Sequence, residues 1–399
     1  MSTGENEGEG AAGPLAGVRV LDLSSVLMGP AATRTLGDFG ADVILVESSA
    51  GDRNRSMGSG PVDGFSGVSL NLLRNKRSIS LDLKHERGRQ VFLDIVATCD
   101  VMITNLRPGP LRRLGLHYEA VQQVRPDIVF CRAHGYPSTS EQADAPAYDD
   151  IIQSASGIGD LFRRMGAEPM LLPSLVADKF CGLTIANSVT AALYHRAQTG
   201  QGQCIEIPMI DVMRAFVLVE HGAGAISEPP VASAGYARIL TPERKPQRTA
   251  DGWINILPYD HEHYVALFEA GGRHDLAADE RFATPIERVT HSDSLYRDVA
   301  SVLGQRTTAE WLELCEENGI PATEAATLDE LVSQLPIDEH PVAGPYRVIP
   351  PPEQFSETPP SVRRPAPGIG EHGPEILSEI GYDAAAIDSL ISDGILTMS

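Results

Sequence analysis

No apolar run in the 399 residues approaches the roughly 18 to 20 needed to cross a bilayer. The N-terminus, MSTGENEGEGAAG, is acidic and glycine-rich and lacks the basic start and apolar stretch of a secretory signal. A membrane partner is therefore not expected, and the sequence reads as cytoplasmic, with residues 1–13 a disordered tail. Basic residues are scarce: 32 Lys and Arg stand against 54 acids, a net charge of −22. That deficit argues against nucleic acid as a partner, because such binding rests on cations that neutralise phosphates. The five cysteines (Cys99, Cys131, Cys181, Cys204, Cys315) are scattered and form no C-x-x-C pair, which disfavours a disulfide framework or a zinc site. Neither a Walker-type G-x-x-x-x-G-K-[ST] loop nor a G-x-S-x-G nucleophile elbow occurs. Gly157-Ile-Gly159 is the nearest approach to a dinucleotide fingerprint, but Phe162 stands at the third glycine position. The run Asp260 to His263 offers metal-ligand chemistry only superficially, since alternate residues on a helix face different ways and suit a solvated helix start.

What remains is an ordinary globular composition, 42% hydrophobic and 22% charged. Val18 to Leu23, a helical GPAATRTLGDFG and Ala41 to Glu47 form a β-α-β pattern. The alternation continues through a helix at Gly88 to Ala97, a strand at Val101 to Thr104, a helix at Tyr118 to Val124 and a strand at Asp127 to Ala133. Such spacing predicts a parallel sheet covered by helices, an open doubly wound α/β domain. Ser174 to Thr199 reads as one long helix ended by the glycines of TGQGQ, followed by strand CIEIPM. Prolines at 229, 230, 242 and 246 break the pattern and suggest a boundary. The division is thus a large α/β domain at 14–226, a linker and small α+β domain at 227–335, and a proline-rich strap at 336–399 that returns to the large domain.

Several blocks carry a resemblance. VLDLSSVLMGP, GDFGADVILVE, NKRSISLDLK, NLRPGPLRRLGL, AYDDIIQSASG, LVADKFCGLTIANSVTAALYHRAQTGQGQCIEIPMID and the closing RPAPGIGEHGPEIL occur in one order. In that order the chain resembles the class III coenzyme A transferases, the CaiB/BaiF family. The resemblance covers most of 14–225 and returns near 363–377. It implies a Rossmann-like large domain, a small domain, and two chains threaded through each other as an interlocked homodimer. It also implies exchange of coenzyme A between an acyl-CoA and a carboxylic acid, with coenzyme A as substrate and no permanently bound cofactor or metal.

The family's nucleophile is the aspartate of an A-D-x-x-x-G block, here Asp178, four residues before Gly182. Read from the residues alone, Asp178 is equally a carboxylate favoured by the free N–H groups of a helix start. Cys181, one turn on, is the rival nucleophile or a small buried hydrophobe. Between Arg74 and Arg113 lie nine Lys or Arg and four acids, a local +5 within the acidic chain. The resemblance promotes Lys76, Arg77, Asn105 and Arg113 from this stretch as contacts to the coenzyme's adenine and phosphates. It places Leu27 by the thioester and Tyr148 and Asp149 lining or supporting the site. His134 stands where some relatives carry a basic residue beside the pantetheine arm, and is either a coenzyme contact or simply a strand-end histidine. Ser48 stands where some relatives carry an arginine. Two alternatives stay open: a 2-methylacyl-CoA racemase and a non-catalytic acyl-CoA-binding homologue. The racemase G-H-D pattern reads Ala147-Tyr148-Asp149, and a phenol with a pKa near 10 replaces imidazole poorly. The glycine-rich loop of formate and oxalate transferases has no counterpart around Leu257 to Tyr264, which argues against those acids.

Overall fold

A computed structural model describes residues 13–398. The expected disordered tail lies, Gly13 aside, outside the described residues. The first half alternates strand and helix: β1 (Arg19–Leu23), α1 (Met28–Asp38), β2 (Asp42–Glu47), α2 (Gly67–Leu72), β3 (Lys76–Leu81), α3 (Glu86–Val96) and β4 (Val101–Thr104). Then come α4 (Pro108–Arg113), α5 (Tyr118–Val124), β5 (Val129–His134), α6 (Asp149–Ala155), α7 (Ile158–Arg164), α8 (Val176–Thr199), β6 (Gln203–Pro208) and α9 (Met209–His221). The chain continues with β7 (Gln247–Arg248), β8 (Trp253–Ile256), α10 (His261–Ala270), α11 (His274–Ala277), α12 (Pro285–Thr290), α13 (Ser292–Leu303), α14 (Thr308–Glu317), β9 (Ala322–Glu324) and α15 (Leu328–Ser333). It ends with β10 (Ile337–His340), β11 (Gly344–Arg347), α16 (Gly373–Glu379), α17 (Ala384–Ser392) and β12 (Leu396–Thr397).

Two compact units emerge. The first comprises the chain up to Ser156, Leu172–Ala215 and everything from Leu335 on; the second comprises Gly157–Leu171 and Phe216–Gln334. Residues 157–171 and 216–226, read above as part of the large domain, therefore fall in the second unit.

The first unit is built on a seven-stranded sheet in the order β12-β3-β2-β1-β4-β5-β6. All neighbours are parallel except β12, which runs antiparallel along β3. Strands 2, 3 and 4 are almost wholly buried, as strands covered by helices on both faces must be. Leu21, Ile44, Ile79, Phe92, Met102 and Phe130 form the core of one face, and Ile376, Leu377 and Leu390 from the C-terminal helices complete it. The proline-rich strap thus returns as part of the core. Sequence order reverses at β1, which lies between β2 and β4, so the crevice at the carboxyl ends of β1 and β4 is where such a sheet takes a ligand.

Helix α8 supplies the other decisive element. Its buried residues, Ala177, Asp178, Cys181, Gly182, Ile185, Ala186, Val189 and Ala192, recur every three or four positions and form one stripe. This stripe packs on α1. A Cβ at Gly182 would sit 2.9 Å from the Met28 carbonyl oxygen and 3.2 Å from Ala31 Cβ, so glycine lets the two backbones approach. Gly200, in the left-handed region at φ 74°, ends the helix.

The second unit has its own core around Phe268, Phe282, Leu303 and Trp311, and a small antiparallel sheet β7-β8-β9. Asp260 caps α10 through the His263 amide at 3.1 Å, the role expected of that charged run.

Candidate active site

Two cavities open at the carboxyl ends of the first unit's strands. The smaller, about 310 Å³, is walled by the β1–α1 turn (Ser25 to Met28), Arg53, Asn105 to Arg107, His134, Ala145 to Tyr148 and Asp178. The larger, about 590 Å³, spreads over the ends of β1, β2 and β3 and includes Ser48, Asp82, Lys84 and Leu114. Ser25 and Leu106 border both.

Asp178 is the only carboxylate among the described residues lining the smaller cavity. It lies in the first turn of α8, which begins after Leu175 without a side-chain cap. Asp149, at the start of α6, accepts a hydrogen bond from the Asp178 backbone N–H at 3.0 Å. Gln153, fully buried one turn on, holds the other Asp149 oxygen at 2.5 Å. Its amide also receives the Leu172 N–H at 2.9 Å and donates to the Ser174 carbonyl at 3.1 Å. Gln153 therefore couples α6 to the segment that leads into α8. Burial, with the Asp149 carboxylate adding to it, pushes the Asp178 carboxyl up to about 7. Such a group is ionised over the upper half of the physiological range yet poorly solvated, which suits a carboxylate that must attack a carbonyl. Cys181 is buried and pushed up to about 12, so its thiol stays protonated, and it does not line the cavity.

The β1–α1 turn is held from three sides. Asn105 accepts the Ser25 N–H at 3.0 Å and donates to the Ser25 carbonyl at 2.7 Å. Asp52 accepts the Val26 N–H at 3.1 Å, and Asn54 donates to the Val26 carbonyl at 3.2 Å. Val26 is thereby fixed at φ 71°, a conformation that a β-branched residue rarely adopts and that costs about 1–3 kcal/mol. Leu27 follows as the residue before α1 and lines the cavity.

The sequence profile of CoA-transferase family III matches residues 15–373. The chain belongs to this family. A mouse succinyl-CoA:glutarate CoA-transferase is 30% identical over 96% of this chain and 90% of its own length. A succinate–glutarate CoA-transferase of Agrobacterium fabrum is 32% identical over 92% and 96%. Among solved structures, a CaiB/BaiF family protein from Brucella suis covers 92% of this chain and 100% of its own, with TM-score 0.78 and 30% identity.

The site of this CoA-transferase gathers some of the expected residues and excludes others. Leu27, Asn105, His134 and Tyr148 line the smaller cavity with Asp178, and Asp149 lies directly behind it. Asn105 spends its amide on the Ser25 backbone, so it shapes the wall. His134 is buried, and burial pushes its imidazole below the usual value despite Glu206 3.3 Å from Nε2. Lys76 and Arg77 require correction. Lys76 is wholly buried, its ammonium 3.1 Å from Asp22 and 2.7 Å from the Thr33 hydroxyl, with no path to a solvent-side phosphate. Arg77 pairs with Asp42 at 2.7 Å and Glu379 at 2.6 Å. Both stand at the start of β3, and about 3.3 Å per residue separates that edge from the crevice. Arg113 is exposed on α4 and lines neither cavity, although its neighbour Leu114 lines the larger one.

Three cations that the sequence reading did not promote do border the crevice: Arg53 and Arg107 at the smaller cavity, Lys84 at the larger. The signal was available in the topology. Each follows the carboxyl end of a parallel strand, β2, β4 and β3 respectively.

Proposed function

We propose that this CoA-transferase moves coenzyme A from an acyl-CoA to a carboxylic acid through covalent intermediates on Asp178. The observation that carries this reading is the buried Asp178 carboxylate, alone among acids of the described residues in the wall of the smaller cavity. In the first step an Asp178 oxygen attacks the thioester carbonyl and the C–S bond breaks, leaving an acyl-aspartyl anhydride and the coenzyme thiolate. The thiolate then attacks the Asp178 carbonyl, releasing the donor acid as a carboxylate and forming an aspartyl thioester. An acceptor carboxylate attacks that thioester, expelling the thiolate and forming a second anhydride. Attack of the thiolate on the acceptor's carbonyl gives the new acyl-CoA and restores Asp178. Every step exchanges activated acyl bonds, so no external energy is consumed, provided water stays out.

In this reading the coenzyme's nucleotide end occupies the larger cavity, with Lys84 on its wall offering a cation to phosphate and Arg113, exposed beside the wall residue Leu114, a second one at the rim. The pantetheine arm crosses at Ser25 and Leu106, which border both cavities. Two chains form the working enzyme as an interlocked homodimer. Supporting this, Leu183 and Tyr194 on α8 and Val219 on α9 remain 52%, 70% and 83% exposed in the single chain. Sedimentation equilibrium should return twice the chain mass of 42.8 kDa. The decisive experiment adds acyl-CoA without acceptor and quenches with hydroxylamine. Peptide mass spectrometry should find the modification on Asp178, and Asp178→Asn should lose about 10³-fold or more of transfer activity. Full activity in that variant refutes the mechanism. A second reading, racemisation at the α-carbon, draws on His134 and Asp178 lining one cavity as an acid/base pair. Solvent deuterium entering the α-position of a branched acyl-CoA, without acceptor, would support it.

A further inference from the structure

The smaller cavity contains a guanidinium that the protein itself does not neutralise. Arg53 opens the 3-10 turn Arg53–Ser56 after β2, is exposed, and lines the cavity that Asp178 also lines. Its near neighbour Arg55 is different: that side chain is buried and clasped by Glu47 at 2.6 and 2.9 Å. Arg53 instead donates from Nη1 to the Tyr148 hydroxyl oxygen at 3.2 Å, and no carboxylate among the described residues forms an ion pair with it.

The phenol matters as much as the cation. Because Tyr148 accepts from Arg53, its own O–H remains free to donate. Tyr148 directly precedes Asp149, whose carboxylate holds the Asp178 backbone N–H at 3.0 Å. A guanidinium, a phenol O–H and the nucleophile thus border one cavity of about 310 Å³. The two donors match a carboxylate, for which planar Arg N–H groups provide charge-assisted, directional bonds. The carboxylate that reacts must meet the Asp178 acyl carbon, so the group taken by the donors is a different one on the same substrate.

We propose that Arg53 and Tyr148 form a subsite for the non-reacting carboxylate of a short dicarboxylic acid, free or as its CoA half-thioester. The proposal rests on the transfer reading above and names its substrate class. A monoacid of the same length leaves the guanidinium with its Tyr148 contact and no carboxylate, and gains nothing from it.

The test compares glutarate with valerate, two five-carbon acids that differ in the second carboxylate, as acceptors for the full-length enzyme. Wild type should prefer glutarate. In Arg53→Gln the glutarate-to-valerate ratio of kcat/KM should fall about 10- to 100-fold, the loss of a charged hydrogen-bonded contact. Tyr148→Phe should lower the same ratio by a smaller factor, and Arg53→Lys should recover part of it. A wild-type preference for valerate, or a ratio unchanged in both variants, overturns the proposal. So does a rise in KM for every CoA ester regardless of its acyl group, which would make Arg53 a coenzyme contact. If no acid is turned over and Asp178 is not modified, the transfer reading fails instead. Calorimetric titration of glutarate and valerate into wild type and Arg53→Gln then still decides the subsite, since it needs no turnover.

Discussion

Asp178 occupies a helix start that favours negative charge, yet burial and Asp149 together push its carboxyl up to about 7. In the proposed mechanism attack requires the ionised form, so kcat/KM should climb with pH and level off above about 7. Asp149→Asn removes the like charge, and the rising limb should move to lower pH; a limb that stays in place would show that burial alone sets it. The same shift has a stability consequence. Unfolded, the carboxyl ionises near 3.8, whereas folded it holds its proton to about 7. Between those values the unfolded state releases a proton first, so this group's contribution to stability falls as pH rises. Asp178→Asn should therefore melt at a higher temperature than wild type at pH 8, with the difference vanishing below about pH 4. Lys76 supplies the opposite case. The sequence block NKRS pointed to phosphate, but the chain buries Lys76 against Asp22, and sequence carries no direct sign of which way a strand residue at the sheet's far edge will face. Lys76→Met leaves Asp22 buried without its partner and should destabilise the fold by about 3–5 kcal/mol in urea unfolding, judged from broken buried pairs.

At the scale of elements the alternation of apolar runs made the parallel sheet legible, because buried strands and their covering helices differ in period and in β-branched content. Strand order, the antiparallel β12 and the inclusion of 157–171 in the second unit were not legible, since they depend on contacts far apart in sequence. The family resemblance marks the A-D-x-x-x-G block as the nucleophile's, and the structure adds a packing reason for its glycine. Gly182 lies one turn after Asp178, where α8 meets the α1 backbone. Gly182→Ala forces Met28 and Ala31 to give way, and an overpacked helix contact of this kind costs about 1–3 kcal/mol. Because Leu27 leads directly into α1 and α8 carries Asp178, the same substitution should lower kcat more than it raises KM. A loss of thermal stability with unchanged kcat would separate the two effects and deny the positioning role. The strained Val26 provides the complementary variant. Val26→Gly relieves φ 71° and should leave the melting temperature unchanged or raised, while a looser turn lowers kcat.

For the whole molecule, the local excess of five positive charges between Arg74 and Arg113 looked like a phosphate-binding stretch in an acidic protein of net −22. Folding spends much of it internally: Arg74 on Asp38, Lys76 on Asp22, Arg77 on Asp42 and Glu379, Arg87 on Asp393. Charge summed along a sequence is therefore a poor guide to charge presented at a site. What the crevice retains is a few cations, Lys84, Arg107 and Arg53, on a chain whose net charge is −22. An acyl-CoA, itself a polyanion, must cross that field before short-range contacts act. At about 10 mM salt the field reaches roughly 30 Å, and at about 150 mM only about 8 Å. Raising sodium chloride over this range should accordingly increase kcat/KM for acyl-CoA severalfold, the reverse of a basic phosphate-binding protein. Lys84→Gln and Arg107→Gln should raise KM at every ionic strength without altering the direction of that trend. A kcat/KM that falls with added salt would mean that these few cations govern the approach, and that the net charge of the chain has no hold on its substrate.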